Sequence, residues 1–372
     1  KQLTFLLSLT FLFLFSGSVY GDDYMHGVNA ANKGDYETAY KLWLSSAEQG
    51  NAEAQHNLAL MYKKGKGVPQ DYKEAVKWYR LSAEQGNALA QSNLGLEYDN
   101  GQAVPQDYKE ACKWYRLSAD QGNALAQLNL GMMYELGKGV PQDYKEAIKW
   151  YRLSADQGHA HAQLNLGVMY ELGKGVPQDY KEAIKWYRFS IEQGHTLAHY
   201  NLGFMYYNGQ GVLQDYKEAV KWFRLSAEQG HTLAQYNLGV MYKIGQGVLQ
   251  DYKEAVKWFR LSAEQGHKLA QYNLGFIYYN GQGVLQDYKE AVKWFRLSAE
   301  QGDASAQYNL GLMYAEGTGV PQDYVLAYIW WNISGSNGNK NAVENRDLIE
   351  QKISPSQIEK AQDMARNWKP KK

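Results

Sequence analysis

Cysteine, net charge and long apolar runs are all scarce in this sequence. A single cysteine, Cys112, stands among 372 residues, so no intramolecular disulfide can form. With 39 Lys and Arg against 39 Asp and Glu, the chain carries no net charge. A nucleic-acid binder shows a basic excess that neutralises phosphates, and a polybasic membrane-surface protein shows one too. Neither class fits. The one extended apolar run, Leu3 to Phe15, is 13 residues long and interrupted by Thr4, Ser8 and Thr10. That is short for a membrane span.

The same run has the length of a secretory h-region. Lys1 supplies a positive charge before it, and Val19-Tyr20-Gly21 places permissive residues after it. Residues 1–21 are therefore expected to be a signal peptide, cleaved after Gly21, with cleavage after Ser18 or an uncleaved anchor as the alternatives. No Cys near this point offers a lipid attachment site. The expected location is exported, periplasmic or secreted, with no stable membrane insertion once the leader is removed.

What is abundant is self-similarity. The chain holds 31 Tyr and 11 Trp, and most recur at fixed intervals, which marks them as structural first. Tyr36, Tyr72, Tyr108, Tyr144, Tyr180, Tyr216, Tyr252, Tyr288 and Tyr324 follow one another every 36 residues, each with Ala three residues later. The best-formed unit runs from Asn123 to Gly158. In it Ala126, Leu130 and Met133 make one helical stripe, and Tyr144, Ala147, Trp150, Tyr151 and Ser154 another. Gly137 and Gly139 end the first helix, Pro141 precedes the second, and Asp143 with Glu146 reads as a D-x-x-E capping box. Each unit is a helix–loop–helix hairpin. Gly131 lies inside a helix, where glycine costs about 1 kcal/mol relative to alanine. Its recurrence predicts a place where two helices approach closely, and Trp78, Trp114 and their successors are sized to fill the space between hairpins. A single hairpin cannot bury both its faces, so stacked units must share a core.

The text A-x-x-N-L-G-x-M-Y-x-x-G-x-G-V-P-Q-D-Y-x-x-A-x-x-W, as at Ala126 to Trp150, resembles the Sel-1-like repeat family, a relative of the tetratricopeptide repeat. The resemblance implies an all-α fold, a right-handed α–α solenoid (superhelix) of about nine 36-residue helix–loop–helix repeats with a C-terminal capping helix. Residues 22–50 read as an N-terminal tetratricopeptide-like capping hairpin with a short Lys33-Gly34-Asp35 connection. Residues 51–334 read as the repeat solenoid, and 335–372 as a polar loop, a capping helix opened by Ser354-Pro355-Ser356-Gln357, and a disordered basic tail. Paired cysteines known from disulfide-bearing members are absent.

Little in the chain suggests chemistry. Each G-x-G follows a helix and precedes a loop, the reverse of a phosphate-binding fingerprint. His159, His195, His231 and His267 share one position in successive units, about a helix spacing of 10 Å apart and too distant to share a metal ion. His195 and His199 could chelate only as a pair. Cys112 takes the place of Val76, Ile148, Ile184 and Val220, as a small buried apolar group would. Lys77, Arg80 and their repeats read as a solvated face without a role. Serine β-lactamase elements, a link suggested by the family resemblance, are missing, as is a G-x-S-x-G elbow. No catalytic residue, metal site or cofactor is expected.

The reading that remains is a scaffold or adaptor binding a protein or peptide partner, in bacterial envelope or host-interaction processes as the family resemblance implies. The rival is a cell-wall-acting or β-lactamase-like enzyme or enzyme subunit. In tetratricopeptide-like stacks the first helix of each hairpin lines the concave face, and by that resemblance the residue before Leu-Gly points inward. It is Asn throughout: Asn57, Asn93, Asn129, Asn165, Asn201, Asn237, Asn273 and Asn309. This ladder can offer amide donors and acceptors to an extended backbone. Beside it the C-terminal half carries Tyr200, Tyr236, Tyr272 and Tyr308, with Phe204, Tyr207, Phe276 and Tyr279 in alternating hairpins, an aromatic stripe suited to rigid contacts. The competing reading has Asn bonding neighbouring turns and Tyr packing between hairpins.

Overall fold

A computed structural model describes residues 23–371, so the expected leader and its cleavage point lie outside the described residues. Every described element is helical. Residues 23–32 form α1, followed by α2 (Tyr36–Glu48), α3 (Ala52–Lys64), α4 (Tyr72–Glu84), α5 (Ala88–Asn100), α6 (Tyr108–Asp120), α7 (Ala124–Leu136), α8 (Tyr144–Asp156), α9 (Ala160–Leu172) and α10 (Tyr180–Glu192). Then come α11 (Thr196–Asn208), α12 (Tyr216–Glu228), α13 (Thr232–Ile244), α14 (Tyr252–Glu264), α15 (Lys268–Asn280), α16 (Tyr288–Glu300), α17 (Ala304–Glu316), α18 (Tyr324–Ser336), α19 (Lys340–Ile349) and α20 (Pro355–Asn367). The chain divides between Gln193 and Gly194 into two compact units. Within each, helices pack against their neighbours in sequence, the arrangement of an α solenoid.

Local chemistry explains the boundaries. Asn123 caps α7 by accepting from the Ala126 N–H, and Gly137 ends that helix with a left-handed backbone. Asp143 accepts from the N–H groups of Lys145 and Glu146 and so caps α8. The expected reciprocal half of that box does not form. The Asp143 N–H already donates to the Tyr134 carbonyl at 2.9 Å, so Glu146 turns to Lys149 at 3.5 Å instead. At Ser354 the N–H is free to bond Gln357, and the box closes fully.

Packing follows the periodic pattern. Ala126, Leu130 and Met133 are buried, as are Ala147, Trp150, Tyr151 and Ser154. Gly131 does mark a close approach: the Tyr151 ring of the same hairpin lies on it. Gly139 serves a different purpose, because a side chain there would collide with the Tyr108 backbone one repeat earlier. Trp150 packs with Ala111, Cys112 and Tyr115 of the preceding hairpin, the space-filling part its size predicts. The first hairpin keeps the same device at a shorter separation, with Trp43 seated on Gly27.

Two hydrogen-bond series join the hairpins. Gln127, buried, donates to the Ala119 carbonyl at 3.1 Å and accepts from Gln157 at 2.8 Å, tying α6, α7 and α8 together. The arginines correct an expectation. Arg80 Nη2 donates to Tyr98 Oη at 2.6 Å, and Arg116, Arg152, Arg224, Arg260 and Arg296 repeat the bond to Tyr134, Tyr170, Tyr242, Tyr278 and Tyr314. These side chains reach the next hairpin rather than water alone. Lys77 stays on the exposed face, 3.2 Å from Glu74.

The C-terminus differs from its reading in two ways. The polar stretch, Gly335 to Asn341, runs into α19, the first helix of a further, truncated repeat. Ala342 is fully buried and Asn345 Nδ2 donates to Tyr308 Oη at 3.4 Å, each 36 residues after its counterpart, Ala306 or Asn309. The expected disordered tail is also docked as far as Lys371, whose N–H and ammonium bond Glu300 at 2.8 and 2.7 Å.

Candidate binding surface

In the second unit the tyrosines of the stripe are half-buried between consecutive hairpins. The Tyr200 ring centroid lies 5.7 Å from Phe223, 5.2 Å from Phe204 and 4.6 Å from His231. Tyr236 repeats this, 5.9 Å from Phe259 and 4.6 Å from His267, and Tyr272 lies 5.9 Å from Phe295. Asn237 Nδ2 donates to Tyr200 Oη at 3.4 Å, and Asn309 bonds Tyr272 likewise. Burial raises the pKa of Tyr200, Tyr236 and Tyr272. Asn201 is half-buried. Asn273 is buried, accepting from Lys243 Nζ at 2.8 Å and donating to the Leu269 carbonyl at 2.8 Å.

The other four aromatics stand further out. Phe276 is exposed, and Phe204, Tyr207 and Tyr279 are half-buried. Tyr207 meets Tyr216 edge-on at 5.3 Å, and Tyr279 meets Tyr288 at 5.4 Å. Phe276, Tyr279, Phe295, Asn309, Leu312 and Met313 enclose a pocket of about 90 Å³.

The first unit satisfies the same asparagines differently. Asn129 bonds Tyr115 and Asn165 bonds Tyr151, where the hydroxyl comes from the second helix of the preceding hairpin. Tyr115 also donates to Asp99 at 3.4 Å, and Tyr151 to Glu135. Burial pushes up the pKa of both phenols and of the Asp99 carboxyl. Asn93 Nδ2 pairs with His56 Nε2 at 3.2 Å. Between the units the hydroxyl changes place: Leu128 and Leu164 give way to Tyr200, Tyr236 and Tyr272, while Tyr115 and Tyr151 give way to Phe223, Phe259 and Phe295. Asn129, Asn165, Asn237 and Asn309 keep a phenolic partner by one route or the other, whereas Asn273 turns to Lys243. Both substitutions begin at the same repeat, a signal that the single-position reading passed over.

The residues weighed for chemistry sit in structural surroundings. Among the described residues no group of three or more His, Cys, Asp or Glu is placed to hold a metal, and no helix is long and apolar enough to cross a membrane. His159, His195, His231 and His267 occupy helix N-caps. His199 is bonded through Nδ1 to the His195 carbonyl at 3.1 Å. Cys112 is buried, its thiol donates to the Lys138 carbonyl at 3.2 Å, and burial pushes its pKa up to about 11. Such a thiol is not poised as a nucleophile.

Two features escaped the sequence reading. Leu213, Leu249 and Leu285 are 91%, 90% and 92% exposed, in the loop position where other repeats carry Pro. Lys243 is half-buried beside Phe276. Both were visible only as breaks in an otherwise constant text.

Comparison with known proteins agrees with this architecture. The pattern of the Sel1 repeat matches residues 20–51, 52–87, 88–123, 124–159, 160–195, 196–231, 232–267, 268–303 and 304–339. A Sel1 repeat protein from Oxalobacter formigenes is similar at 36% identity and a TM-score of 0.67, over 83% of this chain and 90% of that one. A protective antigen present in uropathogenic Escherichia coli strains, displaying an SLR fold, is similar at 34% identity and a TM-score of 0.60, over 95% of this chain and 84% of that one. No curated protein matches. Sel1 repeat proteins are in general scaffolds for protein interaction and typically not enzymes. With nine consecutive matches spanning nearly the whole chain, this protein belongs to the Sel1 repeat family.

Proposed function

We propose that this protein is an exported scaffold that binds a protein or peptide partner along the first helices of its hairpins. The observation that carries the reading is the outer aromatic set of the second unit. Phe204, Tyr207, Phe276 and Tyr279 recur in alternating hairpins, remain accessible, and stand beside the asparagines of the same helices. The repeated packing text does not ask for aromatic rings there: the equivalent residues Leu60, Lys63, Val168 and Glu171 belong to hairpins of the same build. Rigid aromatic groups contribute contact area at low conformational cost.

Purified protein would be incubated with envelope extract, and the co-purifying partners identified and then titrated. The double variant Phe276→Ala with Tyr279→Ala is expected to lose the partner while its melting curve holds. Undiminished binding by the variant sinks the reading. Export is supported by the charged start, the apolar run and Val19-Tyr20-Gly21, and is in keeping with a relative described as a protective antigen. Mass spectrometry of protein from its native host should show Asp22 as the first residue. Recovery of Lys1 to Phe15 in a cytosolic fraction would overturn this part.

A further inference from the structure

Lys243 is a cation without an anion. It lies in the last turn of α13 and is half-buried, and among the described residues no carboxylate pairs with it. Its ammonium donates to Asn273 Oδ1 at 2.8 Å, the single hydrogen bond it makes among those residues, although an ammonium has three donors. Five repeats earlier, Lys63 holds the same position and does have a partner, Glu97 at 2.8 Å. The residue in register with Glu97 on the other side of Lys243 is Ile277, fully buried. Ile277, like the Met at this position in most other repeats, offers Lys243 no acid. Burial holds the Lys243 pKa below the ordinary lysine value, so the site carries an uncompensated desolvation cost.

The ammonium also stands 5.6 Å from the centroid of the Phe276 ring. That ring is one wall of the pocket of about 90 Å³ completed by Tyr279, Leu312 and Met313, with Asn309 at its edge. A charge and an apolar recess thus share one aromatic side chain. Alternate side chains of an extended peptide are about 7 Å apart on one face, of the same order as the 5.6 Å from the ammonium to the ring centroid.

We propose that Lys243 and the Phe276 pocket form a single subsite for an acidic peptide segment, in which an Asp or Glu side chain meets Lys243 and an apolar side chain two residues away enters the pocket. The assignment rests on the first-helix surface being the binding surface. Charge complementarity selects the occupant: an incoming carboxylate supplies what Glu97 supplies to Lys63.

The test is panning of a random heptapeptide display library on the full chain, then affinity measurements with the selected peptides. The wild type should enrich peptides with Asp or Glu two residues from an apolar residue. Lys243→Met should bind those peptides about tenfold more weakly, as expected for loss of one partly desolvated charge pair, and Lys243→Arg should restore most of the affinity. Melting curves of both variants are expected to match the wild type. Enrichment of peptides without the acid, or equal binding by Lys243→Met, overturns the subsite while leaving the first-helix reading in place if Phe276→Ala still abolishes capture. Failure to enrich any peptide overturns the subsite alone, whereas undiminished partner capture by Phe276→Ala with Tyr279→Ala overturns the first-helix reading as well.

Discussion

The ring of Tyr151 lies on the α-carbon of Gly131, so close that a methyl group at Gly131 would fall 2.6 Å from the ring carbon Cδ1 and 3.2 Å from the Ala147 carbonyl oxygen. The relation repeats as Gly95 with Tyr115, Gly167 with Tyr187, Gly203 with Phe223, Gly239 with Phe259 and Gly275 with Phe295. It brings the two helices of a hairpin together around a fully buried ring.

Gly131→Ala tests which of two effects wins. Alanine favours the helix by about 1 kcal/mol, whereas overpacking a filled core costs about 1–3 kcal/mol. The neighbours are a ring and a backbone carbonyl, neither of which yields easily. A net loss of about 1 kcal/mol is expected in denaturant titration. A more stable variant would show that the ring has room to move.

Trp150 joins one hairpin to the one before it and is 4% exposed. Trp150→Ala should cost about 3–5 kcal/mol. In a solenoid such damage is local, so hydrogen exchange should accelerate in α6 to α8 and much less in α1 or α2. Uniform acceleration would contradict a neighbour-only coupling.

His231 and His267 give the second unit a pH dependence. Each accepts the N–H three residues on through Nδ1, at 3.2 Å, in place of the Asn that caps α3, α5 and α7. Tyr200 and Tyr236 cover the rings at 4.6 Å, and Lys268 lies next to His267. Burial lowers both pKa values from 6.5, and protonation turns the accepting nitrogen into a donor. A lowered folded-state value means that this contribution is complete above about pH 6.5 and is lost as the pH falls from there through the folded-state values. The melting temperature should drop between pH 7 and pH 5. Asn at both positions should reduce that drop, and an unchanged slope would remove the caps as its cause.

Leu213, Leu249 and Leu285 stand where Pro69, Pro105, Pro141, Pro177 and Pro321 stand in other hairpins. Almost wholly exposed, they contribute little packing. Proline at each site should raise stability by about 0.4–1 kcal/mol, by restricting the unfolded chain. A lowered melting temperature for the triple variant would show that these loops differ in backbone from their proline-bearing counterparts.

Much of the architecture was legible in the sequence because each repeat states its own local chemistry. Asn123, Gly137 and Asp143 mark helix ends through bonds to backbone groups two to four residues away, and the apolar stripe from Ala126 to Met133 follows from helical period alone. A 36-residue spacing met again and again leaves stacked hairpins as the way to bury those stripes. Only tertiary structure decided the rest. Glu146 could not close its capping box because a carbonyl outside α8, that of Tyr134, had already taken the Asp143 N–H. Arg80 acquired a role through Tyr98 of the next hairpin, and α19 became recognisable as a repeat when Asn345 met Tyr308. Lys243 reads as one more surface lysine until Asn273 and Phe276 are brought beside it. Periodicity reports which way a side chain faces along its own helix, but what it meets there is set by residues 18 to 37 positions away in these cases, through packing that no local pattern encodes.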